Sequence, residues 1–254
     1  MHSRTPYFRT LFSREFSIIK RRPTFYIALI AVLSGISIAF MYVLHFPVFP
    51  PPFNILQFDL ADICVAVAAI MLGPLSAVTV ALIKCLLFLP RDWGQTMGVG
   101  VLSNFICAFA FGVAVALVYH LRVLVRPDKR NDIIFLIIAF ISGAVIEIGV
   151  AMLGNYYIFV PLYMIVFVNS ADFFRQTYLT TYYIFTVVPL FNLLQFGANG
   201  IAGFLLAKAL LRIIPRMIPD FFEKPPEEVK EHGEVIDGTS ENNGEIKDEN
   251  TYNL

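Results

Sequence analysis

Six long apolar runs, broken by few charged residues, occupy most of the chain between residues 24 and 214. A helix needs roughly 20 apolar residues to cross the ~30 Å hydrocarbon core of a bilayer. No stretch alternates apolar and polar residues with the period of two that a membrane β-barrel shows. Helices must therefore satisfy the backbone hydrogen bonds inside the lipid, and the runs cover residues 24–44, 60–72, 75–89, 99–125, 133–154 and 178–211.

These runs predict an all-α membrane protein with six transmembrane helices, in agreement with a composition that is 57% hydrophobic. The second and third runs are short, and only Gly73-Pro74 separates them. We therefore expect a tight turn between two partly buried spans. Residues 91–94, which follow the third run, are expected to form a short turn outside the membrane.

The basic residues predict the orientation of the chain in the membrane. They concentrate before the first run, between the fourth and fifth, and at the end of the sixth, and these places share one side if there are six spans. Because cytoplasmic segments are enriched in Lys and Arg, both termini are predicted to be cytoplasmic. The residues are Arg4, Arg9, Arg14, Lys20, Arg21, Arg22, Arg122, Arg126, Lys129, Arg130, Lys208, Arg212 and Arg216.

Charge divides the chain into three regions. Residues 1–22 are expected to be a basic cytoplasmic segment, and residues 23–216 a six-helix membrane domain. From residue 220 onward, eleven acidic residues face three lysines, which gives a net charge of −8. This part has too few apolar residues to fold by itself, so residues 217–254 are predicted to be a disordered acidic cytoplasmic tail.

Several function classes lack support in the sequence. It contains no Walker-type Gly-rich loop, no Gly-x-Ser-x-Gly motif and no His-x-x-x-His pair, which argues against nucleotide hydrolysis and against hydrolase chemistry. Cys64, Cys85 and Cys107 lie in separate apolar runs without the close spacing of a metal site. No basic soluble surface for nucleic acid is indicated. We therefore predict neither an enzyme, nor a metal site, nor a nucleic-acid-binding protein.

The loop after the first run is both apolar and stiff. Its sequence, HFPVFPPPFNILQF at residues 45–58, contains four prolines and four phenylalanines. Proline fixes φ and cannot continue a helix, so the loop is predicted to be extended and to fold back over the protein. It could close an outward-facing pocket as a lid, or it could simply cap the helix bundle.

Uncharged amides recur near the predicted outer side of the membrane. Asn104 lies early in the fourth run, Asn155 follows the fifth, and Asn192, Gln195 and Asn199 lie on one face of the sixth. An amide both donates and accepts hydrogen bonds, so the group suits a neutral, flat ligand with a polar edge. Hydrogen bonding between neighbouring helices is the alternative, and the sequence leaves both open.

Charged and small residues inside the runs carry further predictions. Asp59 is placed to cap the second run, and Asp62 lies in its first turn, where the helix dipole favours an anion. Lys84 and Glu147 lie within spans, where charges usually point into the bundle or into a wet cavity, although Lys84 could also extend outward to the membrane surface. A stripe of small residues on the first helix permits close packing, either inside the protein or against another membrane protein; it consists of Ala31, Gly35 and Ala39.

Five segments together resemble the RibU group, the riboflavin-specific substrate-binding (S) subunits of energy-coupling factor (ECF) transporters. They occur in the family's order, and the resemblance covers about residues 24–214. The segments are FPVFPPPFNILQFDLADI, MLGPLSAVTVALIKCLL, GVGVLSNF, GNYYIFVPLY and VVPLFNLLQFGANG.

The resemblance implies a six-helix subunit of the plasma membrane that binds riboflavin from outside. Such a subunit works with a transmembrane coupling subunit and two cytoplasmic ATPase subunits. The small face at Ala31, Gly35 and Ala39 would contact the coupling subunit. Riboflavin would be the transported ligand, and no cofactor is implied.

The resemblance also implies a set of substrate-binding residues. In the family the first loop covers the ligand, and an Asn at the end of the fifth helix meets it. Gln195 stands where the family usually has lysine, and a neutral amide forms a weaker bond to the flavin edge than a charged donor does. FMN is therefore an open alternative ligand. The candidates are Phe53, Leu56, Phe58, Asn104, Asn155, Tyr157, Asn192 and Gln195.

The leading hypothesis is thus the riboflavin-binding subunit of an ATP-driven vitamin importer. A second hypothesis keeps the fold but changes the ligand to another vitamin or a precursor. A third is a stand-alone receptor that supplies flavin to an extracellular system without importing it.

Overall fold

Helices dominate the chain in the computed structural model, which describes residues 7–125 and 133–217. All of these residues belong to one compact unit. In chain order the elements are α1 Tyr7–Arg21, α2 Pro23–Val43, β1 Phe46–Pro47, β2 Gln57–Phe58, α3 Asp62–Met71, α4 Pro74–Thr96, α5 Val99–Val125, α6 Ile133–Gly154, α7 Val160–Val166, α8 Ala171–Tyr178 and α9 Val188–Met217.

Five helical segments in the described ranges are long and apolar enough to cross a membrane, namely Pro23–Val43, Pro74–Thr96, Val99–Leu121, Ile133–Val166 and Tyr183–Ile213. Two of them are continuous through π-helical turns, at Asn155–Phe159 and at Tyr183–Val187. The predicted all-α membrane fold is confirmed. The predictions that there are six full spans and that both termini are cytoplasmic stay predictions.

The predicted second span differs from the others. Its helix, α3, has only ten residues, all of them buried, and rises about 15 Å at 1.5 Å per residue. By itself α3 is therefore shorter than the hydrocarbon core is thick, and whether it counts as a sixth span stays a prediction. It is completely enclosed by protein, whereas α4 is partly buried, as expected.

Three element boundaries also differ from the predictions. Residues 91–94 form no separate turn, because α4 continues through Pro90 to Thr96. The sixth run was predicted to begin at Tyr178, but Tyr178 ends the short helix α8 and the last span starts at Tyr183. Residues 155–166 prolong the fifth span beyond its predicted end at Gly154.

The turn between α3 and α4 is built around Gly73 and Glu15. Gly73 has a φ of +143°, a conformation that side chains with a Cβ rarely adopt. Pro74 follows in the first turn of α4, where its missing N–H is not needed. Glu15 of α1 accepts hydrogen bonds from the backbone N–H groups of Leu75 at 3.1 Å and Ser76 at 2.7 Å. Part of the predicted basic segment 1–22 is thus a helix docked on α4.

Close helix packing surrounds α3, which lies against α4, α5 and α9. A Cβ added at Gly112 of α5 would lie 2.9 Å from Cγ1 of Val65 in α3. Small residues at helix contacts permit this kind of approach in membrane proteins. The acidic tail predicted for residues 217–254 lies, apart from Met217, outside the described residues.

Candidate substrate cavity

A cavity lies next to the N-terminal end of α3. Its walls come from α2, α4, α5, α6 with its π-helical continuation, α7, α8 and α9, and from the segment 45–61, which we call the strap. The cavity has a volume of about 120 Å³, roughly ten times what one buried water needs. The cavity exists because α3 is short: the strap takes the place of the missing helical turns.

The outer part of the strap folds over the cavity as a small hairpin. β1 and β2 pair antiparallel, with Phe46 opposite Phe58. Between them, Phe53 stacks on Tyr183 with ring centroids 5.6 Å apart. The hydroxyl of Tyr178 donates a hydrogen bond to the carbonyl oxygen of Pro52. The strap is therefore held against α8 and the start of the last span.

The inner part of the strap is fixed by polar side chains from three helices. Ser37 of α2 donates to the carbonyl of Ala61 at 2.8 Å, and Asn199 of α9 donates to the carbonyl of Asp59 at 2.9 Å. Asn104 of α5 donates to Oδ2 of Asp59 at 3.2 Å. Non-helical backbone is tolerated at membrane depth where protein supplies its hydrogen bonds, and these contacts supply them. Asp59 is not the N-cap of α3, which is Ala61.

Four of the predicted amides, Asn104, Asn155, Asn192 and Gln195, line this one cavity. Asn155 donates its Nδ2 to the carbonyl of Ala151 at 2.8 Å, and Asn192 donates its Nδ2 to the carbonyl of Val188 at 2.8 Å. The Asn155 oxygen also accepts from the Tyr183 hydroxyl at 3.4 Å, and each amide retains a second N–H for other partners. Hydrogen bonds within the protein therefore fix the orientation of both amides.

The eight predicted site residues divide into two groups. Those that line the cavity are Leu56, Asn104, Asn155, Asn192 and Gln195. Those that lie outside its lining are Phe53, Phe58 and Tyr157. Phe53 and Phe58 stabilise the strap through ring contacts, whereas Tyr157 is 69% exposed on the outer surface. Contact of any of the eight with a ligand stays a prediction.

Acidic side chains also line the cavity, which the pattern of amides did not indicate. They are Asp62, Asp92 and Glu147. Of the two orientations left open for Lys84, the structure has the inward one: its Nζ lies 2.6 Å from Oδ1 of Asp62, with both side chains buried. Asp92 accepts hydrogen bonds from the N–H of Val101 at 3.2 Å and from the Thr96 hydroxyl, so it caps the start of α5. Of these acids, the sequence indicated Glu147, because a charged residue inside a membrane span usually points into the bundle or into a cavity.

An aromatic side wall completes the cavity. Six aromatic side chains contribute to the lining, namely Phe88, Phe159, Tyr163, Tyr178, Tyr183 and Phe191. Burial raises the pKa of the Tyr178 phenol above its ordinary value, so this hydroxyl is a neutral donor at physiological pH.

His45 lies at the start of the strap and also lines the cavity. Its ring meets Phe88 edge to face, with centroids 5.0 Å apart. Burial, and then the nearby charge of Arg91, lower the pKa of His45 below its ordinary value, against a smaller opposing effect of Asp92. The imidazole is therefore neutral at pH 7.

The small residues of α2 lie on its outer face. Ala31, Gly35 and Ala39 are exposed, and a Cβ added at Gly35 would meet nothing within 4 Å. They do not pack inside the described part of the protein, so the internal-packing explanation for this stripe is wrong. The face is free for contact with lipid or with another membrane protein.

The family model for the substrate-specific component of ECF transporters matches residues 25–207. The chain belongs to this family. The match runs from the start of α2 to the second half of α9 and leaves α1 outside. An ECF substrate-specific component is part of a transporter and not an enzyme, as predicted, and this one is a multi-pass protein of the plasma membrane.

Two individual proteins agree with this assignment. The chain is 28% identical over 189 residues to the riboflavin transporter RibU of Staphylococcus aureus (strain TCH60), covering 74% of this chain and 91% of the relative. The structure is similar to that of the S component of a bacterial ECF transporter, with a TM-score of 0.52 and 20% identity, covering 80% of this chain and 100% of the other. That similarity confirms the S-component fold.

Proposed function

We propose that this substrate-specific component binds riboflavin from outside the cell and delivers it to an ATP-driven importer. One observation carries the proposal: amides from three helices and an aromatic wall meet in one cavity beneath the strap, in a chain that is 28% identical to a riboflavin transporter. A stiff roof over an ordered polar wall suits capture of a small ligand.

The chemistry of the cavity fits a neutral flavin. The ring system of riboflavin has a broad apolar face and a polar edge, and its ribityl chain carries hydroxyl groups. Aromatic side chains such as Tyr163 and Phe191 can cover the apolar face, where burial contributes roughly 25 cal/mol per Å². Asn155, Asn192 and Gln195 can serve the polar edge.

The charges favour riboflavin over FMN. The charged side chains in the described lining are the acids Asp62, Asp92 and Glu147, without a lysine or arginine among them. Lys84, buried nearby, is already paired with Asp62. A phosphate group would therefore lose its hydration without gaining a cation, which is costly in a buried site. Gln195, which stands where the family usually has lysine, likewise offers no cation to a phosphate group.

The partners follow from the family and from the outer face of α2. We propose that Ala31, Gly35 and Ala39 contact a transmembrane coupling subunit, which links this protein to two cytoplasmic ATPase subunits. No cofactor takes part in the proposed mechanism; the flavin is cargo. ATP hydrolysis in the partner complex supplies the energy that opens the cavity inward.

A titration of the purified full chain tests the ligand. Riboflavin fluorescence should be quenched on binding with a Kd below 1 µM, about −8 kcal/mol, and FMN should bind at least tenfold more weakly. A panel of other vitamins, added as competitors, distinguishes a changed ligand from the proposed one. Absence of quenching at micromolar riboflavin would contradict the proposal, and displacement by another vitamin would replace riboflavin as the ligand.

A further inference from the structure

One face of α6 brings a carboxyl side chain to the cavity. Glu147, Ala151 and Asn155 follow each other at intervals of four residues, so they share one side of the helix, and all three line the cavity. Glu147 is 2% exposed, and its Oε2 has no hydrogen-bond partner. Buried polar atoms in folded proteins are nearly always paired, so this oxygen calls for an explanation.

Two polar side chains that could serve as protein partners are engaged elsewhere. The Lys84 ammonium bonds to Asp62 at 2.6 Å. The Asn155 amide, two turns along the same face, donates to the carbonyl of Ala151 and accepts from the Tyr183 hydroxyl at 3.4 Å. Oε2 of Glu147 is thus an acceptor that the described part of the protein leaves for something else in the cavity.

We infer that Glu147 is a specificity-determining ligand contact whose Oε2 accepts a hydrogen bond from an N–H or O–H group of the bound molecule. This inference rests on the proposed function. In riboflavin, the available donors are the imide N–H of the ring and the hydroxyls of the ribityl chain. The ligand class selected is a neutral molecule that presents such a donor at the α6 wall.

A purely structural role makes a different prediction about stability. A polar group that has no partner inside a membrane protein is costly, and replacing such a group by an apolar residue of similar size is often neutral or stabilising. If Glu147 serves the ligand, Glu147→Leu should keep or raise the thermal stability of the ligand-free protein while it weakens binding. If Glu147 serves the fold, the same change should lower stability.

The test compares wild type, Glu147→Leu, Glu147→Gln and the control Ser142→Ala in the purified full chain. Ser142 lies on α6, and its hydroxyl bonds to the carbonyl of Ala139 at 2.8 Å, outside the cavity. Each variant is titrated with riboflavin, with lumiflavin, which lacks the ribityl chain, and with 3-methylriboflavin, which lacks the imide N–H. Ligand-free thermal midpoints are measured in parallel.

Glu147→Leu should weaken riboflavin binding about 10- to 100-fold, the range for a hydrogen bond to a charged or strongly polar group. Glu147→Gln keeps an acceptor oxygen and should lose less, and Ser142→Ala should bind as wild type does. The analogue that lacks the relevant donor should bind wild type and Glu147→Leu equally, which identifies the ribityl or the imide group as the partner.

Three results would overturn the inference. They are wild-type affinity of Glu147→Leu for all three ligands, equal weakening of all three, and a loss of ligand-free stability that accounts for the weaker binding. In each case riboflavin binding by wild type leaves the proposed function intact. If wild type binds no riboflavin, the proposed function fails and this inference fails with it.

Discussion

Hydrogen bonds to the backbone orient two amides of the cavity. A backbone carbonyl can only accept, so the Nδ2 group of Asn155 must face Ala151 and that of Asn192 must face Val188. The direction of each amide oxygen is fixed as a consequence. Fixing polar groups in advance reduces the entropy that binding has to overcome, so single residues of this wall should have measurable effects on affinity.

Asn155→Ala should weaken riboflavin binding by about 1–2 kcal/mol, because a buried polar group of the ligand loses its partner. This corresponds to roughly a 5- to 30-fold higher Kd in a fluorescence titration. Tyr157→Phe is the matched control, since Tyr157 is exposed two residues further along the same π-helical turn. Equal affinities of Asn155→Ala and wild type would remove Asn155 from the site.

His45 makes the stability of the protein sensitive to acid. Its pKa is lowered in the folded state by burial and by Arg91, so folding favours the neutral ring. The stabilisation is complete above the unfolded pKa of about 6.5 and is lost as the pH falls through the folded pKa. The thermal midpoint of wild type should therefore fall more steeply below pH 6.5 than that of His45→Gln. Parallel pH profiles of the two proteins would contradict this account.

At the scale of secondary-structure elements, a contact between α1 and α4 closes the turn after α3. Glu15 is fully buried, and its carboxylate accepts from the first N–H groups of α4 and from the Ser76 hydroxyl. Those N–H groups have no partner inside the helix, and the helix dipole favours an anion there. Gly73 leaves room for the Glu15 carboxylate, since a Cβ added at this position would lie 2.6 Å from Oε2 of Glu15.

Glu15→Ala should lower the stability of the protein by about 1–3 kcal/mol, because it leaves buried N–H groups unpaired. The measurement is the thermal midpoint of the ligand-free protein in detergent. Lys20→Ala, at an exposed position of the same helix, should have little effect. If both variants melt with wild type, the contact between α1 and α4 does not stabilise the fold.

The elements that the sequence predicted well are those set by local pattern. Long apolar runs and helical spacing suffice for α2, α4, α5 and α6 and for the shared face of Asn192 and Gln195. The start of α3 at Asp62 depends on distant contacts instead, such as the bond from Asn199 to the strap. Tyr157 does not line the cavity although its neighbour Asn155 does, because residues two apart on a helix point in nearly opposite directions; its contact with a ligand stays a prediction.

For the molecule as a whole, the short α3 links the fold to the proposed function. Because α3 begins only at Asp62, the strap that precedes it enters the bundle. A cavity is left between the strap and helices α4, α5, α6 and α9. The strap is tied at its outer part by Tyr178 and Phe53 and at its inner part by Asn104 and Asn199. In the proposed function, ligand capture and docking to a partner would use different surfaces, since the exposed small face of α2 lies outside the cavity lining.

This separation makes a prediction about transport. Gly35→Leu should leave riboflavin affinity unchanged and abolish riboflavin uptake in cells that also produce the coupling subunit and the ATPases, because a bulky side chain prevents close helix packing at this face. Gly149→Leu on α6 is the matched control, since Gly149 also has nothing within 4 Å of an added Cβ, and it should transport normally.

Uptake by Gly35→Leu at the wild-type rate would exclude this face from the partner interface. Loss of binding in the same variant would show instead that the α2 face and the cavity are coupled through the fold, because Gly35 itself does not line the cavity.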